Sequence, residues 1–149
     1  MKINDGNEKP AVHVYYSSLL NDSSFFHSLL YGIEEEGVPY LYQRKTGNSA
    51  IELGYQAALD STLGVGIGIG DDSQMILHYT KLPKKQPLFH LSGASQDQQN
   101  VLGANAARLV KGIPFKSFEE IHSAEEETLI SEEISTIVKE VLRRIRERM

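Results

Sequence analysis

The chain has 149 residues, a formal net charge of −5 at pH 7 and no cysteine. This length fits one domain with a hydrophobic core plus a tail. The lack of cysteine excludes disulfides, thiolate zinc sites and cysteine nucleophiles, and is typical of a reducing cytoplasm. The negative charge argues against general nucleic-acid binding, which needs a basic face. Since no apolar run resembles a signal peptide or reaches the length of a membrane span, we expect a cytoplasmic protein without membrane or nucleic-acid partners.

The N-terminal part predicts a flexible start, a strand and a helix. Residues 1–10 are polar and end in proline, which is typical of a loose terminus. Ala11 to Tyr16 is short, apolar and β-rich, and predicts the first strand. Asn21 to Ser24 offers helix caps, and apolar residues follow at helical spacing. These residues define the buried side of the first helix: Phe25, Phe26, Leu29, Leu30 and Ile33.

The first helix is predicted to end in three glutamates, Glu34, Glu35 and Glu36, followed by Gly37. The C-terminal end of a helix is the negative pole of its dipole, so each exposed carboxylate there costs roughly 0.3–1 kcal/mol. On the residues alone, two interpretations stay open. The run is either a solvated acidic end before a glycine cap, or a site that requires these charges.

Val38 to Gln43 predicts the second strand, and Ser49 to Glu52 predicts a capping box that opens the second helix. In a capping box, the serine and the acidic residue three positions later satisfy each other's backbone N–H groups. Helical spacing then predicts the buried stripe of this helix: Ile51, Tyr55, Ala58 and Leu59.

Gly64 to Gly70 alternates glycine with β-branched residues, and predicts a third strand with one face of bare backbone. The spacing G-x-G-x-G-x-G lacks the fingerprints of dinucleotide-binding and phosphate-binding loops. Gly66 and Gly68 are therefore predicted to permit close approach by a helix or by another chain.

The following residues predict a hairpin, a loop and a last strand and helix. Asp71 to Ser73 predicts a turn, so Gln74 to Tyr79 should return antiparallel to the third strand. Thr80 to Pro87 is rich in proline and lysine and is predicted to be a loop. Leu88 to Leu91 predicts the fifth strand, and Gln96 to Lys111 the third helix. The order β-α-β-α-β-β-β-α predicts a mixed sheet with helices on its faces.

The third helix carries an apolar stripe and a clear stop signal. Gly112 can adopt the left-handed conformation that ends a helix, and Pro114 cannot continue it. Helical spacing places Asn105, Arg108 and Lys111 away from the buried side. Small residues in the same helix should let a neighbouring backbone approach closely. The stripe itself consists of Leu102, Ala106, Leu109 and Val110.

Three segments together resemble the small subunits of the diol and glycerol dehydratase reactivases. They are Gly103 to Phe115, Gly32 to Pro39, and the run Leu77-His78-Tyr79 with Leu82-Pro83 and Pro87-Leu88-Phe89 behind it. The resemblance covers about residues 11–115 and implies a three-layer α/β/α domain there. Its five-stranded mixed sheet should have the order 2-1-3-4-5 with strand 4 antiparallel, as in the anticodon-binding domain and the dehydratase medium subunit.

The resemblance also implies a function. The chain would be a non-catalytic accessory subunit, and a large ATPase subunit would bind ATP or ADP and release damaged cobalamin from an inactivated coenzyme-B12-dependent dehydratase. The small subunit would leave the large subunit while the dehydratase medium subunit takes its place. Two large and two small subunits are expected in the assembly, and no cofactor is expected to bind to this chain alone.

The resemblance assigns one metal ligand. Glu35 matches the middle residue of the family's glutamate run, which implies that it shares a Mg²⁺ ion with the large subunit, with Glu34 and Glu36 as fallback assignments. A hard cation takes carboxylate oxygens, so one glutamate suffices if the partner supplies other ligands. The predicted partner interface therefore consists of Glu35, Gly66 and Gly68.

Residues 116–149 lie outside the resemblance and predict an acidic linker followed by an amphipathic helix. Three roles for this helix stay open: packing against its own domain, pairing with a partner or a second copy, and targeting to a bacterial microcompartment. Its apolar residues recur at helical spacing: Ile130, Ile134, Ile137, Val138, Val141, Leu142 and Ile145.

Two other functions stay open. The chain could be a medium-subunit-like component of a B12-dependent dehydratase itself, which corrinoid binding would reveal. It could also be a small α/β enzyme or nucleotide-binding module, although the five histidines lack metal spacing and no nucleophile elbow is present. The sequence does not distinguish a glycerol client from a propane-1,2-diol client.

Overall fold

The computed structural model of the protein describes residues 10–20, 23–46 and 49–118. Contacts divide the chain into residues 1–116 and residues 117–149, and the domain described below belongs to the first unit. The predicted C-terminal helix lies outside the described residues. The elements are β1 (Val12–Ser17), a 3₁₀ turn (Ser23–Phe26), α1 (His27–Glu35), β2 (Tyr40–Lys45), α2 (Ala50–Asp60), β3 (Val65–Ile69), β4 (Met75–Tyr79), β5 (Phe89–Leu91) and α3 (Gln96–Lys111).

The five strands form one mixed sheet in the order β2-β1-β3-β4-β5. β1 is parallel to both β2 and β3, with Val14 opposite Tyr42 on one side and Ile67 on the other. β4 is antiparallel to β3 and to β5. The predicted α/β class, strand order and antiparallel fourth strand are confirmed, whereas the likeness to the anticodon-binding domain stays a prediction.

The helices cover both faces of the sheet. α1 and α3 pack against each other on one face, and α2 packs on β3, β1 and β4 on the other. Because side chains alternate along a strand, Tyr15 lies on the α2 side with Leu53 and Ala57. The opposite face of β3 presents Ile67 and Ile69, both fully buried. The core is therefore two layers, one on each side of the sheet.

The buried face of α2 differs from the prediction. Leu59 is 49% exposed, and Ile51 and Tyr55 are only half-buried, so Ala58 alone of the predicted stripe is fully buried. The physical reason is that the small residues of α2, rather than its large ones, lie against the bare backbone of β3. The buried residues are Ala50, Leu53, Gly54, Ala57 and Ala58.

The helix starts also differ in part from the prediction. α1 begins after Phe26, which makes no side-chain capping hydrogen bond, and of the predicted cap residues Ser23 and Ser24 lie in the 3₁₀ turn before it, whereas residues 21 and 22 lie outside the described residues. Ser49 caps α2 by accepting from the Glu52 N–H (3.1 Å), but the Glu52 carboxylate pairs with Lys84 Nζ (2.9 Å). The complete capping box lies instead at the start of α3, between Ser95 and Gln98. The prediction did not include it, although a serine followed three residues later by glutamine is the capping-box pattern.

The predicted close approach of a backbone to α3 is confirmed. A Cβ atom on Gly103 would lie within 3.0 Å of the Leu29 carbonyl oxygen, and one on Gly32 would meet Asn100 in the same way. Because neither residue has a side chain, the backbones of α1 and α3 come into direct contact. This crossing sets the position of the C-terminal end of α1 relative to α3.

The end of α3 combines a confirmed stop signal with one error. Gly112 adopts the left-handed conformation (φ 72°), and the Ile113 N–H donates to the Arg108 carbonyl (3.1 Å), as in a Schellman motif. Asn105, predicted to face away from the core, is fully buried. Its side chain accepts from the Lys116 N–H (2.6 Å) and donates to the Lys116 carbonyl (3.0 Å), which holds the chain beyond the helix.

Candidate partner interface

The three consecutive glutamates lie at the C-terminal end of α1, which packs against α3. Both α1 and α3 are followed in the chain by a residue that closes them, Glu36 for α1 and Gly112 for α3. Basic side chains near the end of α3, Arg108 and Lys111, reach across to α1. Glu36 thus lies where the negative C-terminal pole of α1 meets the last turn of α3, whereas Glu35 lies beside Asn100, near the start of α3.

Glu36 is fully engaged within the chain. Its Oε1 pairs with Lys111 Nζ (2.8 Å) and its Oε2 with Arg108 Nε (3.0 Å), and only 15% of the side chain is exposed. Lys111 Nζ also donates to the Glu36 carbonyl (2.8 Å). The hydrogen bond from Lys111 lowers the pKa of Glu36 below its ordinary value of 4.5, partial burial opposes this, and Arg108 lowers it further. Glu36 thus serves the α1–α3 contact.

Glu35 remains open to solvent. Its side chain is exposed, and its described polar neighbour is the Asn100 amide, with Nδ2 at 3.5 Å from Oε1. The same amide lies 3.4 Å from the Ser28 carbonyl, so Asn100 holds the α1–α3 seam beneath Glu35. The carboxylate therefore keeps lone pairs for a ligand outside the chain, and Asn100 is a neighbour that sequence analysis did not identify.

Glu34 points toward a different surface. It is exposed, and it lies close enough to β2 to act on Tyr40. Burial raises the pKa of the Tyr40 hydroxyl, and the negative charge of Glu34 and the neighbouring Tyr42 raise it further. The structure thus brings the three glutamates together but assigns each a different neighbour: β2 for Glu34, Asn100 for Glu35, and Arg108 with Lys111 for Glu36.

A cation at this place would need ligands from elsewhere. Within residues 10–20, 23–46 and 49–118, no group of three or more His, Asp or Glu side chains is arranged to hold a metal ion. Glu35 can offer one or two carboxylate oxygens, whereas both Glu36 oxygens are bound to cations. Since Mg²⁺ is bound by oxygen ligands, Glu35 fits a shared site and Glu36 does not.

The prediction that Gly66 and Gly68 belong to a partner interface is corrected. Both residues are buried, and a Cβ atom on Gly68 would lie within 3.0 Å of the Ala50 carbonyl oxygen and the Gly54 nitrogen. Gly66 is covered in the same way by Ala57 and Ala58. Of the two predicted neighbours, a helix or another chain, the structure shows the helix α2.

The loop between β4 and β5 is held by a buried histidine in one of the segments that carry the resemblance. His78 Nδ1 accepts from the Tyr79 N–H (2.9 Å), so Nε2 carries the proton and donates to the Lys84 carbonyl (2.8 Å). The Tyr55 ring packs against the imidazole with a centroid distance of 5.3 Å. Both ring nitrogens are therefore used to fix the loop.

The family described as dehydratase medium subunit matches residues 9–116. A propanediol dehydratase-reactivating factor small subunit from Salmonella typhimurium is 42% identical over 117 residues, which cover 76% of this chain and 97% of that protein. A diol dehydratase-reactivating factor small subunit from Klebsiella michiganensis is 38% identical, with 76% and 90% covered. A probable glycerol dehydratase-reactivating factor small subunit from Citrobacter freundii is 37% identical, with 71% and 92% covered.

Solved structures agree with these relatives. The fold matches a chain of a diol dehydratase-reactivating factor complexed with ADP and Mg²⁺ at a TM-score of 0.68 and 35% identity, covering 74% of this chain and all of that one. It also matches a glycerol dehydratase reactivase at a TM-score of 0.70 and 35% identity, covering 73% and 98%. None of the described helices is long and apolar enough to cross a membrane. The chain therefore belongs to the dehydratase medium subunit family and, within it, to the small subunits of dehydratase-reactivating factors.

Proposed function

We propose that the chain is the non-catalytic small subunit of a factor that reactivates a coenzyme-B12-dependent diol or glycerol dehydratase. The larger subunit of the factor binds and hydrolyses ATP, and the assembly contains two large and two small subunits. The observation that carries this proposal is the 42% identity to the Salmonella small subunit over 97% of its length. The structure of a related factor complexed with ADP and Mg²⁺ is consistent with nucleotide on the partner.

The proposed mechanism is exchange of one subunit for another. The small subunit leaves the larger subunit, the dehydratase medium subunit takes its place, and the loosened dehydratase releases its damaged cobalamin. This is supported by one domain matching two descriptions: the family is described as dehydratase medium subunit, whereas the relatives are reactivating-factor small subunits. Exchange requires two interfaces of similar shape and affinity, so that the nucleotide state can shift the balance.

Glu35 is proposed to contact the larger subunit through a shared Mg²⁺ ion. Its exposed carboxylate lies at the end of α1 beside Asn100, and the cations Arg108 and Lys111 both pair with Glu36. A divalent cation would compensate the remaining negative charge and would supply the bridge between the two chains. Glu36 is a poor substitute, because moving its carboxylate would break its pairing with Lys111 and Arg108.

The first experiment is co-purification of the tagged full-length chain with the products of its neighbouring genes, with and without ATP and Mg²⁺. We expect a larger ATPase subunit in a stoichiometric amount. A chain that came down only with dehydratase subunits and cobalamin would contradict the proposal. It would favour the alternative, a medium-subunit-like component of the dehydratase, which the description of the matching family also supports.

The second experiment tests Glu35 through metal dependence. Glu35→Gln should weaken binding to the larger subunit by about tenfold or more in Mg²⁺, because the neutral amide is a poorer ligand for a hard cation. In EDTA the variant and the wild-type chain should bind equally. Glu34→Gln is the matched control, since that carboxylate is also exposed and lies next in sequence. An Mg²⁺-dependent loss in Glu34→Gln alone would move the ligand to that residue.

The role of the C-terminal region remains a prediction. Residues 119–149 lie outside the described part of the chain. Their apolar residues would contact the domain, a partner or a microcompartment, depending on which of the three roles applies. Deletion of residues 119–149, followed by the same co-purification, separates a role in the larger-subunit complex from a role elsewhere. The proposal does not choose between glycerol and propane-1,2-diol as the substrate of the client dehydratase.

A further inference from the structure

A surface of exposed aromatic residues lies beside the glutamates, where α1 and the strand β2 meet. Phe25 is 39% exposed, Tyr31 61% and Tyr42 43%, and the partly buried Tyr40 completes the group. These four residues are called the α1–β2 surface below. Of the seven large hydrophobic residues exposed in the described part of the chain, three belong to it. Such clustering is typical of an interaction site, whereas single exposed apolar residues are ordinary.

Two rings of this surface, Phe25 and Tyr42, pack against buried aromatic residues. Phe26 is fully buried, and its ring contacts Phe25 at 5.5 Å and Tyr42 at 6.2 Å between centroids. Tyr16 packs against both Phe26 (5.0 Å) and Tyr42 (6.2 Å). The rings of Phe25 and Tyr42 are therefore held in place before any partner binds. Rigid aromatic anchors of this kind contribute most to binding, because little conformational entropy is lost on association.

β2 also presents the backbone of an edge strand. The carbonyls of Pro39 and Lys45 accept from Val12 and Ser18, so the backbone groups of odd-numbered residues point to β1. By alternation, the N–H and C=O groups of Tyr40 and Tyr42 point away from the sheet. Among the described strands, β2 pairs with β1 only. A six-residue edge strand with its donors directed outward is a template for an added strand.

The other edge of the sheet is built differently. β5 has three residues, and the Phe115 ring packs on Phe89 with a centroid distance of 5.3 Å. A short strand covered by a neighbouring segment is a common protection against pairing with other chains. Only the β2 edge combines length, exposed aromatic side chains and outward backbone groups in the described residues.

The occupant is argued from what adjoins this surface. Tyr31 precedes Glu35 by one helical turn, and Glu34 lies beside Tyr40, so the surface is continuous with the carboxylates assigned to the partner contact. Stable interfaces bury about 1,200 Å² or more. A single added strand on β2 would bury less than this, so the occupant must contact more of the surface. An occupant that covers β2 and also reaches α1 can meet this requirement, and the proposed Glu35 contact already brings the larger subunit to the end of α1.

We propose that the α1–β2 surface is the docking site for the larger subunit, and that an extended segment of that subunit joins β2 as an added strand. The inference rests on the proposed function, because it takes that subunit as the partner. It adds the surface and the mode of contact. The segment should carry apolar side chains that meet the rings of Tyr40 and Tyr42, and a basic group or the shared cation should face the glutamates.

The test measures binding of full-length variants to the larger subunit in EDTA, so that any bridge through Mg²⁺ is absent. Tyr31→Ala combined with Tyr42→Thr should weaken binding by about tenfold or more. Leu59→Ala removes a 49% exposed apolar residue from α2, on the opposite face of the sheet, and should change binding less than about twofold. Circular dichroism and thermal unfolding should match the wild-type chain for each variant used.

The added strand is tested by two substitutions at one position. Tyr42→Thr removes the ring but keeps the outward N–H, whereas Tyr42→Pro removes both and leaves the ladder to β1 intact. The proline variant should bind about fivefold more weakly than the threonine variant, as expected for one lost hydrogen bond. Equal binding of the two variants would overturn the added strand.

The other outcomes separate this inference from the proposed function. If the wild-type chain does not bind the larger subunit at all, both proposals fail. If it binds and the double variant binds equally well, only the docking surface is wrong. If the double variant binds the larger subunit normally but converts a dimer of the isolated chain to a monomer in light scattering, the surface pairs with a second copy, and the inference is overturned.

Discussion

The two faces of the sheet achieve close packing in different ways. On one face α2 lies directly on the backbone of β3, because Gly66 and Gly68 leave no side chain between them. On the other face large side chains such as Ile33 and Ile67 fill the space between the helices and the sheet. There the backbone contact is between the two helices, at Gly32 and Gly103.

This difference matters for function because it decides which surfaces remain available. The α2 face uses its small residues for packing and leaves Leu59 and part of Tyr55 outside. The α1–α3 face pairs Glu36 with basic residues of α3 and leaves Glu34 and Glu35 exposed at the end of α1. Close packing therefore builds a scaffold on one side, and on the other it also builds the candidate partner site.

The largest expected effect comes from adding a methyl group to the α2 contact. Gly68→Ala should lower the free energy of unfolding by about 3 kcal/mol or more, because the new Cβ would overlap backbone atoms of Ala50 and Gly54. Urea unfolding of the full-length chain measures it. Gly54→Ala is the control and should cost less, since its Cβ would overlap only the end of the Ile76 side chain, would stay 3.1 Å from the Gly68 nitrogen, and alanine favours a helix by about 1 kcal/mol. Equal losses in both variants would contradict this account.

A smaller effect is expected at the crossing of α1 and α3. In Gly103→Ala the new Cβ would overlap the Leu29 carbonyl, but better helix propensity offsets part of the cost, so we expect a loss of about 2 kcal/mol. Because this crossing positions the glutamates, the variant should also weaken the Mg²⁺-dependent part of binding to the larger subunit. A stable variant with unchanged metal dependence would show that the crossing does not position Glu35.

The smallest effect is expected for Glu36→Gln, about 1 kcal/mol at pH 7, because the ion pairs are partly exposed. The folded-state pKa of Glu36 is lowered, so its contribution is present above the ordinary value of 4.5 and is lost as the pH falls through the folded-state value. The difference in unfolding free energy between wild type and variant should therefore shrink below about pH 4.5. If this difference in unfolding free energy stayed constant down to about pH 3, it would come from packing of the Glu36 side chain rather than from its charge.

Much of the fold was predictable from local signals. The bounds of α3 agree with the prediction at both ends, because a polar start, helical periodicity and a Gly-Ile-Pro stop all act within one stretch of chain. The hairpin of β3 and β4 was predictable for the same reason. The buried face of α2 was not predictable in this way, because helical periodicity is judged from large apolar residues. The helix packs with its small residues against Gly66 and Gly68 of β3.

The candidate site divides along the same line. The run of glutamates at the C-terminal end of α1, and the family that it indicates, can be read from the sequence. The sequence does not show that Glu36 is the glutamate bound within the chain. Its partners, Arg108 and Lys111, come more than 70 residues later. The buried Asn105 was misplaced for a similar reason, since its partner is the backbone of Lys116 beyond the end of the helix.

The elements, their order and the family follow from local sequence, since propensity, caps and motifs depend on neighbouring residues. The three-dimensional packing was needed to show that Gly66 and Gly68 lie against α2, and that Glu36 pairs with Arg108 and Lys111 while Glu35 stays exposed. Both results depend on contacts between segments that are distant in the chain. A pattern within one segment carries no information about which other segment will cover it.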